Sequence, residues 1–334
     1  MRRRIAFFPL CLISLLLSPV GSAQRSASSS VSDPLLAALP ASDAIMFVDA
    51  QRLLNEALPR LYANDTAKLN QINSELDQFK SRTGIDPRSF ERIAIGANFT
   101  SAPSGATKVE PAVLARGRFN AGAMIAAGRI AAKGKYREER YGGRSIYIFT
   151  PDEQVKLLGL LPAKLGEIAV TEFDAHTLAL GTPARVRALL DAQKGRNRVN
   201  NDLVALAARN ANAIIGFGGT VPPAIFDADI MGNDEVANAI RAVKQFYGSI
   251  STTARGFELL LTARSQSPEN AKYLGDTIVA VKQIGGALAS QLPGNRGRLA
   301  QIALNNLSIA TQGDEVLLRL ELAQTEMAEL MRGL

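Results

Sequence analysis

Short apolar runs alternate along the chain with longer stretches in which apolar residues recur every three or four positions. The short runs have the length and composition of strands, and 44–48 (AIMFV) is an example. The longer stretches have the spacing of amphipathic helices. One of them covers 66–82 and precedes Gly84, a residue suited to end a helix. The two kinds of segment together predict an α+β fold.

Many of the predicted strands come in closely spaced pairs. Gly142-Gly143 forms a favourable two-residue turn between strands at 135–141 and 144–149. Similar pairs are predicted within 167–181 and 307–323. Because hairpins join antiparallel strands, we expect mainly antiparallel sheets, with helices packed on one face.

The order of the predicted elements occurs twice. In 34–195 and again in 196–334 it reads strand, helix, two strands, helix, hairpin, helix, and 44–48 corresponds to 213–217. We therefore predict a tandem duplication of a β-α-β-β-α-β-β-α unit, with one α+β repeat in each stretch. Such similarity also arises by chance in α+β chains of this size, and that alternative stays open.

The first 33 residues differ in composition from the rest. Three arginines precede an apolar run from Ile5 to Val20, and small residues follow it up to Ala23. This pattern predicts a cleavable secretory signal peptide over 1–23, with a retained membrane anchor as the alternative. Residues 24–33 are small and polar, which predicts a flexible leader. We expect a protein exported to the periplasm or to the cell exterior.

Removal of the signal would remove Cys11, the single cysteine, so disulfides, thiol catalysis and thiolate metal sites are excluded for the exported chain. The chain has 38 Lys and Arg residues against 31 Asp and Glu residues, and three of the arginines lie in the signal. The remaining positive excess is small, and we expect no nucleic-acid partner. No later apolar stretch is long enough to span a membrane, which predicts a soluble protein once the signal is cleaved.

Several short phrases resemble exported proteins of acidobacteria and related bacteria. The phrase 39–44 (LPASDA) and the residues that follow it resemble the start of those proteins. Further similar phrases are FVD at 47–49, RLL at 52–54, GIDPR at 84–88, YGG at 141–143 and LALG at 178–181. The resemblance implies export and an α+β fold, and it carries no activity, cofactor or catalytic residue.

Few residues are suited to catalysis. His176 is the only histidine, and it lies at a predicted turn two residues after Asp174. A Ser-His-Asp system would have to use this histidine, but no Gly-x-Ser-x-Gly motif supplies a nucleophile, and a structural turn is favoured. Glu138 and Glu139 are neighbours on a predicted strand, so their side chains point to opposite faces. Catalysis stays open, and we favour a protein that is not an enzyme.

Metal and nucleotide motifs are incomplete. Asp227 and Asp229 resemble the start of a calcium loop, but Asn238 stands at the twelfth position, where a bidentate glutamate is needed. The glycines within 216–219 precede two prolines and lack the lysine of a phosphate-binding loop, so they predict a turn. We expect no cofactor and no metal.

Basic residues are concentrated between positions 116 and 144, and a second basic run covers 185–198. The candidates for an anionic-ligand surface are Arg116, Arg118, Arg137, Arg140 and Arg144. If the sheet brings them together, they would bind an anionic lipid, a surface polymer or an acidic envelope protein. The alternative is that they are solvated side chains on separate surfaces.

These observations favour an exported soluble envelope protein that acts as a non-catalytic binding or scaffolding module. Two alternatives remain. One is a hydrolase whose active site has no recognisable motif. The other is a carrier that holds an apolar ligand between sheet and helices.

Overall fold

The computed structural model describes residues 33–101, 107–150, 156–157, 161–162, 166–221, 234–289, 291 and 295–333. Its main feature is a single antiparallel sheet of 12 strands, which confirms the α+β class and the mainly antiparallel pairing. The predicted signal peptide and residues 24–32 of the predicted leader lie outside the described residues.

The strands of the first part of the chain are β1 (Ala44–Asp49), β2 (Phe90–Ser101), β3 (Thr107–Gly117), β4 (Tyr136–Tyr141), β5 (Arg144–Phe149), β6 (Lys156–Leu157), β7 (Leu161–Pro162), β8 (Ile168–Asp174) and β9 (Thr177–Gly181). Those of the second part are β10 (Ile215–Thr220), β11 (Val243–Thr252), β12 (Gly256–Ser265), β13 (Leu307–Gln312) and β14 (Glu315–Ala323). The short strands β6 and β7 pair only with each other, and the others form the large sheet.

The helices are α1 (Pro34–Ala37), α2 (Ala50–Arg52), α3 (Leu58–Leu61), α4 (Thr66–Thr83), α5 (Ala121–Ala131), α6 (Pro183–Gln193), α7 (Asn201–Ala207), α8 (Asp234–Arg241), α9 (Pro268–Ala289), α10 (Asn295–Asn306) and α11 (Gln324–Gly333). A π-helical turn over Leu53–Ala57 joins α2 to α3, and a 3₁₀ turn covers Pro87–Ser89. Helix α8 ends at Arg241, and Val243 already begins β11. Residues 222–233 lie outside the described part.

Strands β1 and β10 lie at the centre of the sheet and pair antiparallel, with Ala44 opposite Gly219. The full order is β13-β14-β12-β11-β10-β1-β2-β3-β9-β8-β5-β4. The sheet is therefore continuous between the two stretches 34–195 and 196–334. Outward from the centre, the order β1-β2-β3-β9-β8 corresponds to β10-β11-β12-β14-β13.

The sheet has two faces that we name by their central residues. Face A contains Phe47, Ala94 and Leu114, which α1, α6 and α7 cover in one buried cluster. Face B contains the alternate residues, among them Met46 and Val113. Helices also pack on face B: α5 packs near β8 and β9, and α8 and α9 pack near β11 to β14. The prediction of helices on one face is wrong, because both faces of the central strands are apolar and need cover.

The glycines within 216–219 belong to β10, so the predicted turn is wrong at this point. A Cβ atom at Gly216 would collide with the carbonyl oxygen of Ala207 in α7 and with the ring of Phe47. The missing side chain thus allows α7 to pack directly on face A.

The predicted leader ends one residue too late. Asp33 is buried, and its carboxylate accepts hydrogen bonds from the backbone N–H groups of Leu35 and Leu36, which caps α1. The same carboxylate accepts a hydrogen bond from Nε of Arg92 at 2.6 Å. The ordered fold therefore includes Asp33, because this side chain fixes α1 against β2.

Candidate functional site

Three of the five arginines proposed for an anionic-ligand surface are paired with carboxylates. Nη2 of Arg116 lies 3.0 Å from Oδ2 of Asp174. Nε of Arg118 lies 3.4 Å from a carboxylate oxygen of Glu91, and Nη2 of Arg137 lies 3.1 Å from one of Glu167. These three side chains belong to different local ion pairs. The two remaining candidates, Arg140 and Arg144, belong to the hairpin between β4 and β5, where Arg140 lies opposite Ser145 and Arg144 lies opposite Tyr141.

The second basic run mostly fastens α6 to neighbouring elements. The guanidinium of Arg185 is buried and donates to the carbonyl oxygen of Ala41 and to Oγ of Ser42. Burial lowers the pKa of Arg185 below its ordinary value. Arg187 forms two hydrogen bonds, of 2.6 and 2.8 Å, with the carboxylate of Glu139. These contacts serve the packing of α6.

His176 occupies the turn between β8 and β9. Its backbone N–H donates to Oδ1 of Asp174 at 2.9 Å, and its ring Nδ1 lies 2.9 Å from the carbonyl oxygen of Phe119. Both contacts hold the turn, and Asp174 is also the partner of Arg116. This geometry fits a histidine that stabilises a turn.

A cleft of about 340 Å³ lies between α5 and the strands β5 and β8. Four of its side chains have charged or aromatic groups: Arg129, Arg144, Tyr147 and Glu172. The rest of the lining is Gly122, Ile125, Ala126, Gly143, Ser145 and Thr171. The cleft therefore contains one of the predicted arginines together with groups from a helix and a second strand.

The cleft exists because β5 and β8 separate at one end. Their pairing covers only Tyr147–Phe149 and Ile168–Val170. Beyond it, Oγ1 of Thr171 donates to the carbonyl oxygen of Ser145 at 2.7 Å, and Nη1 of Arg144 donates to the carbonyl oxygen of Glu172 at 2.9 Å. These two side chains satisfy two backbone acceptors beyond the end of the ladder between β5 and β8, which stabilises the separation of the strands.

Arg129 is held on the helix side of the cleft by two aromatic rings. Its guanidinium carbon lies 4.7 Å from the ring centroid of Tyr147 and 5.3 Å from that of Tyr136. Its Nε donates to the hydroxyl of Tyr136 at 3.0 Å, and this hydrogen bond raises the pKa of Arg129. The side chain is therefore a fixed cation at the cleft.

No protein-family model matches the sequence, and no curated protein matches it. Two solved structures of TP0453 resemble the fold. Crystal form III has a TM-score of 0.45 at 10% identity, over 90% of this chain and 98% of that one. Crystal form I has a TM-score of 0.43 at 9% identity, over 90% and 97% of the two chains.

Face B is a second candidate site, because its central residues are apolar but only half-buried. One row of register partners runs across the sheet: Leu180, Val113, Ile95, Met46, Phe217, Leu261, Leu318 and Ile309. Gly248 lies between Phe217 and Leu261 in this row. The corresponding residues of face A, from Ala179 to Phe47, are buried. Face B thus has apolar surface that the described residues leave partly accessible.

Helix α4 connects the two sides of face B. Tyr62, just before the helix, packs with Phe257 and Ala328, whereas Gly84 at its end lies beside Ala127 of α5. No residue of α4 is buried, and its apolar residues are half-buried or exposed: Leu69, Ile72, Leu76 and Phe79. The helix therefore has the predicted row of apolar residues, but none of these side chains is fully buried in a core.

The described part of the chain contains no group of three or more His, Cys, Asp or Glu residues placed to hold a metal ion. The partial calcium loop at 227–238 lies mostly outside that part. No helix of the described residues combines the length and apolar character needed to cross a bilayer.

Proposed function

We propose that this chain is an exported, non-catalytic binding protein of the cell envelope that holds a lipid-like apolar ligand on face B. The observation that carries this proposal is the difference between the two faces of the central strands. Ile95 and Met46 on face B are half-buried, whereas Ala94 and Phe47 beside them are buried on face A. A contiguous apolar surface that stays partly accessible is typical of a binding site.

The composition of face B favours a ligand made of hydrocarbon. The side chains of its central row have no strong hydrogen-bonding group, as Val113, Ile95, Phe217 and Leu261 illustrate. A ligand with many polar groups would lose hydrogen bonds to water there and gain none in return. Hydrocarbon chains lose no hydrogen bonds, and their burial contributes roughly 0.8 kcal/mol per CH₂ group.

The location is proposed from the N-terminal sequence. Basic residues, an apolar run and small residues over 1–23 form the pattern of a signal peptide, and an envelope protein has access to lipids. We also propose that the chain arose by tandem duplication, as the order of its predicted elements indicates. The matching strand orders β1-β2-β3-β9-β8 and β10-β11-β12-β14-β13 support it.

Fluorescence of N-phenyl-1-naphthylamine, an uncharged apolar probe, tests the proposed site. We expect saturable binding by the purified protein and about a tenfold loss of affinity in Ile95→Gln, because the amide needs hydrogen bonds that the ligand lacks. Val113→Phe gives a second variant that fills space without adding polarity, and it should also weaken binding.

Ile130→Gln is the matched control, because Ile130 lies on α5 and is 79% exposed. It should bind the probe like the unmodified protein. Absence of saturable binding in the unmodified protein contradicts the proposal. So does equal binding by all four proteins when circular dichroism shows that each is folded.

A further inference from the structure

We propose that the cleft between α5, β5 and β8 binds a phosphate ester that has an amine or hydroxyl group beside the phosphate. Arg129 and Arg144 would hold the phosphate, and Glu172 would accept a hydrogen bond from the neighbouring group. The inference does not depend on the apolar site of face B, because it rests on different residues.

The two arginines have donors that the protein does not use. Among the described residues, the only hydrogen-bond partner of Arg129 is Tyr136, through Nε, and the only one of Arg144 is the carbonyl oxygen of Glu172, through Nη1. Neither forms an ion pair with a carboxylate in the described part of the chain. Two guanidinium groups with unused N–H donors suit the several oxygens of a phosphate.

Both side chains are already oriented before a ligand arrives. The tyrosine rings hold the guanidinium plane of Arg129, and a 2.9 Å hydrogen bond holds that of Arg144. Less side-chain entropy is therefore lost on binding than at a surface of free arginines. A volume of about 340 Å³ is within the usual range for a small-molecule site.

The other charges around the cleft define the ligand further. Arg140 lies opposite Ser145 and adds a third positive charge near the cleft, while Glu138 lies opposite Tyr147. Glu172 lines the cleft itself, and its Oε2 lies close to Gly122. A carboxylate beside two arginines disfavours a bare anion and favours a ligand that offers a donor next to its phosphate.

Phosphoethanolamine and inorganic phosphate are suitable probes for NMR titration of the ¹⁵N-labelled protein. We expect saturable shifts with phosphoethanolamine at the amides of Gly122, Gly143 and Ser145, and weaker binding of inorganic phosphate. Dihexanoyl phosphatidylethanolamine, below its micellar concentration, tests a lipid source. Tighter binding of the lipid assigns the site to a headgroup, and equal or weaker binding assigns it to a free ester; both results support the proposal.

Two substitutions should change the affinity, and the second should do so in a way that a structural role would not. Arg144→Gln should weaken phosphoethanolamine binding about tenfold, because the substitution removes a charged guanidinium group and its paired N–H donors. Glu172→Gln should tighten inorganic phosphate and reduce the preference for phosphoethanolamine, because it removes the negative charge and keeps a hydrogen-bonding group. Arg118→Gln, whose arginine is exposed outside the cleft, should change neither.

The proposal is overturned if none of the probes gives saturable shifts at these amides. It is also overturned if folded Arg144→Gln and Arg118→Gln bind phosphoethanolamine equally. The uncharged naphthylamine probe does not require the arginines, so either result leaves the proposal for face B unaffected.

Discussion

Leu114 and Val113 are neighbours on β3, and they show how different the two faces of this sheet are. Leu114 is 0% exposed within the cluster formed by α1, α6, α7 and face A. Val113 is half-buried on face B. Both residues are apolar, so the sequence pattern is the same for a surface that stabilises the fold and for one that we propose binds a ligand. Burial separates the two roles, and burial depends on which helices pack on each face.

The largest expected difference between the two faces is in the free energy of unfolding that is lost when a leucine is shortened to alanine. Leu114→Ala should lower the free energy of unfolding by about 3 kcal/mol, because its surroundings are closely packed. Leu261→Ala on face B should cost about 1 kcal/mol, because less apolar surface is lost from the interior. Urea denaturation measures both values. Equal losses would show that face B is as closely packed as face A.

Substitution of Gly216 tests the close contact between α7 and face A. Gly216→Ala should destabilise the protein by about 2 kcal/mol, because the added methyl group would push α7 away from β10. Gly128→Ala in α5, where the added atom meets nothing within 4 Å, should stabilise it by roughly 0.5–1 kcal/mol. Thermal unfolding of the two variants should therefore shift in opposite directions. Shifts in the same direction would contradict the direct packing of α7.

The smallest expected effect concerns pH. The hydrogen bonds from Arg187 hold the pKa of Glu139 below its ordinary value of 4.5. The contribution of this pair to stability is therefore present above that value and is lost as the pH falls through the lowered pKa. Because both side chains are partly solvated, it amounts to less than about 1 kcal/mol.

Glu139→Gln should make the loss of stability as the pH falls below the ordinary value of 4.5 less steep than in the unmodified protein. Glu138→Gln is the control, because Glu138 is the adjacent residue and points to face B. Urea denaturation at several pH values measures the effect. If both variants show the same pH profile, the ion pair with α6 does not stabilise face A.

The fold was predictable where local chemistry determines it. Gly142 and Gly143 both have positive φ angles, as the predicted two-residue turn requires, and Gly84 ends α4 with a φ of 72°. The turn predicted at the glycines of β10 is wrong, because in sequence a glycine that allows a helix to approach resembles one that forms a turn. The predicted packing of helices on one face is also wrong, since apolar residues on both faces of a strand give no preference.

The cleft was only partly predictable. Arg144 was a candidate, and Arg129 belongs to the same basic stretch of the sequence, but their approach depends on α5 lying across β8. Glu172 could not be predicted as a site residue, because a glutamate in a strand is common. The separation of β5 from β8 depends on hydrogen bonds from Thr171 and Arg144 to distant carbonyl groups, which no local pattern reveals.

The central pairing of β1 with β10 has a consequence for the time course of synthesis. Ala44 is made 175 residues before Gly219, its partner, which at about 5–20 residues per second is a delay of roughly 9–35 s. During that interval β2 can pair with one edge of β1, but the other edge has no native partner. Exposed apolar strand edges promote association between chains. A central strand of the finished sheet is therefore an aggregation-prone edge of the growing chain.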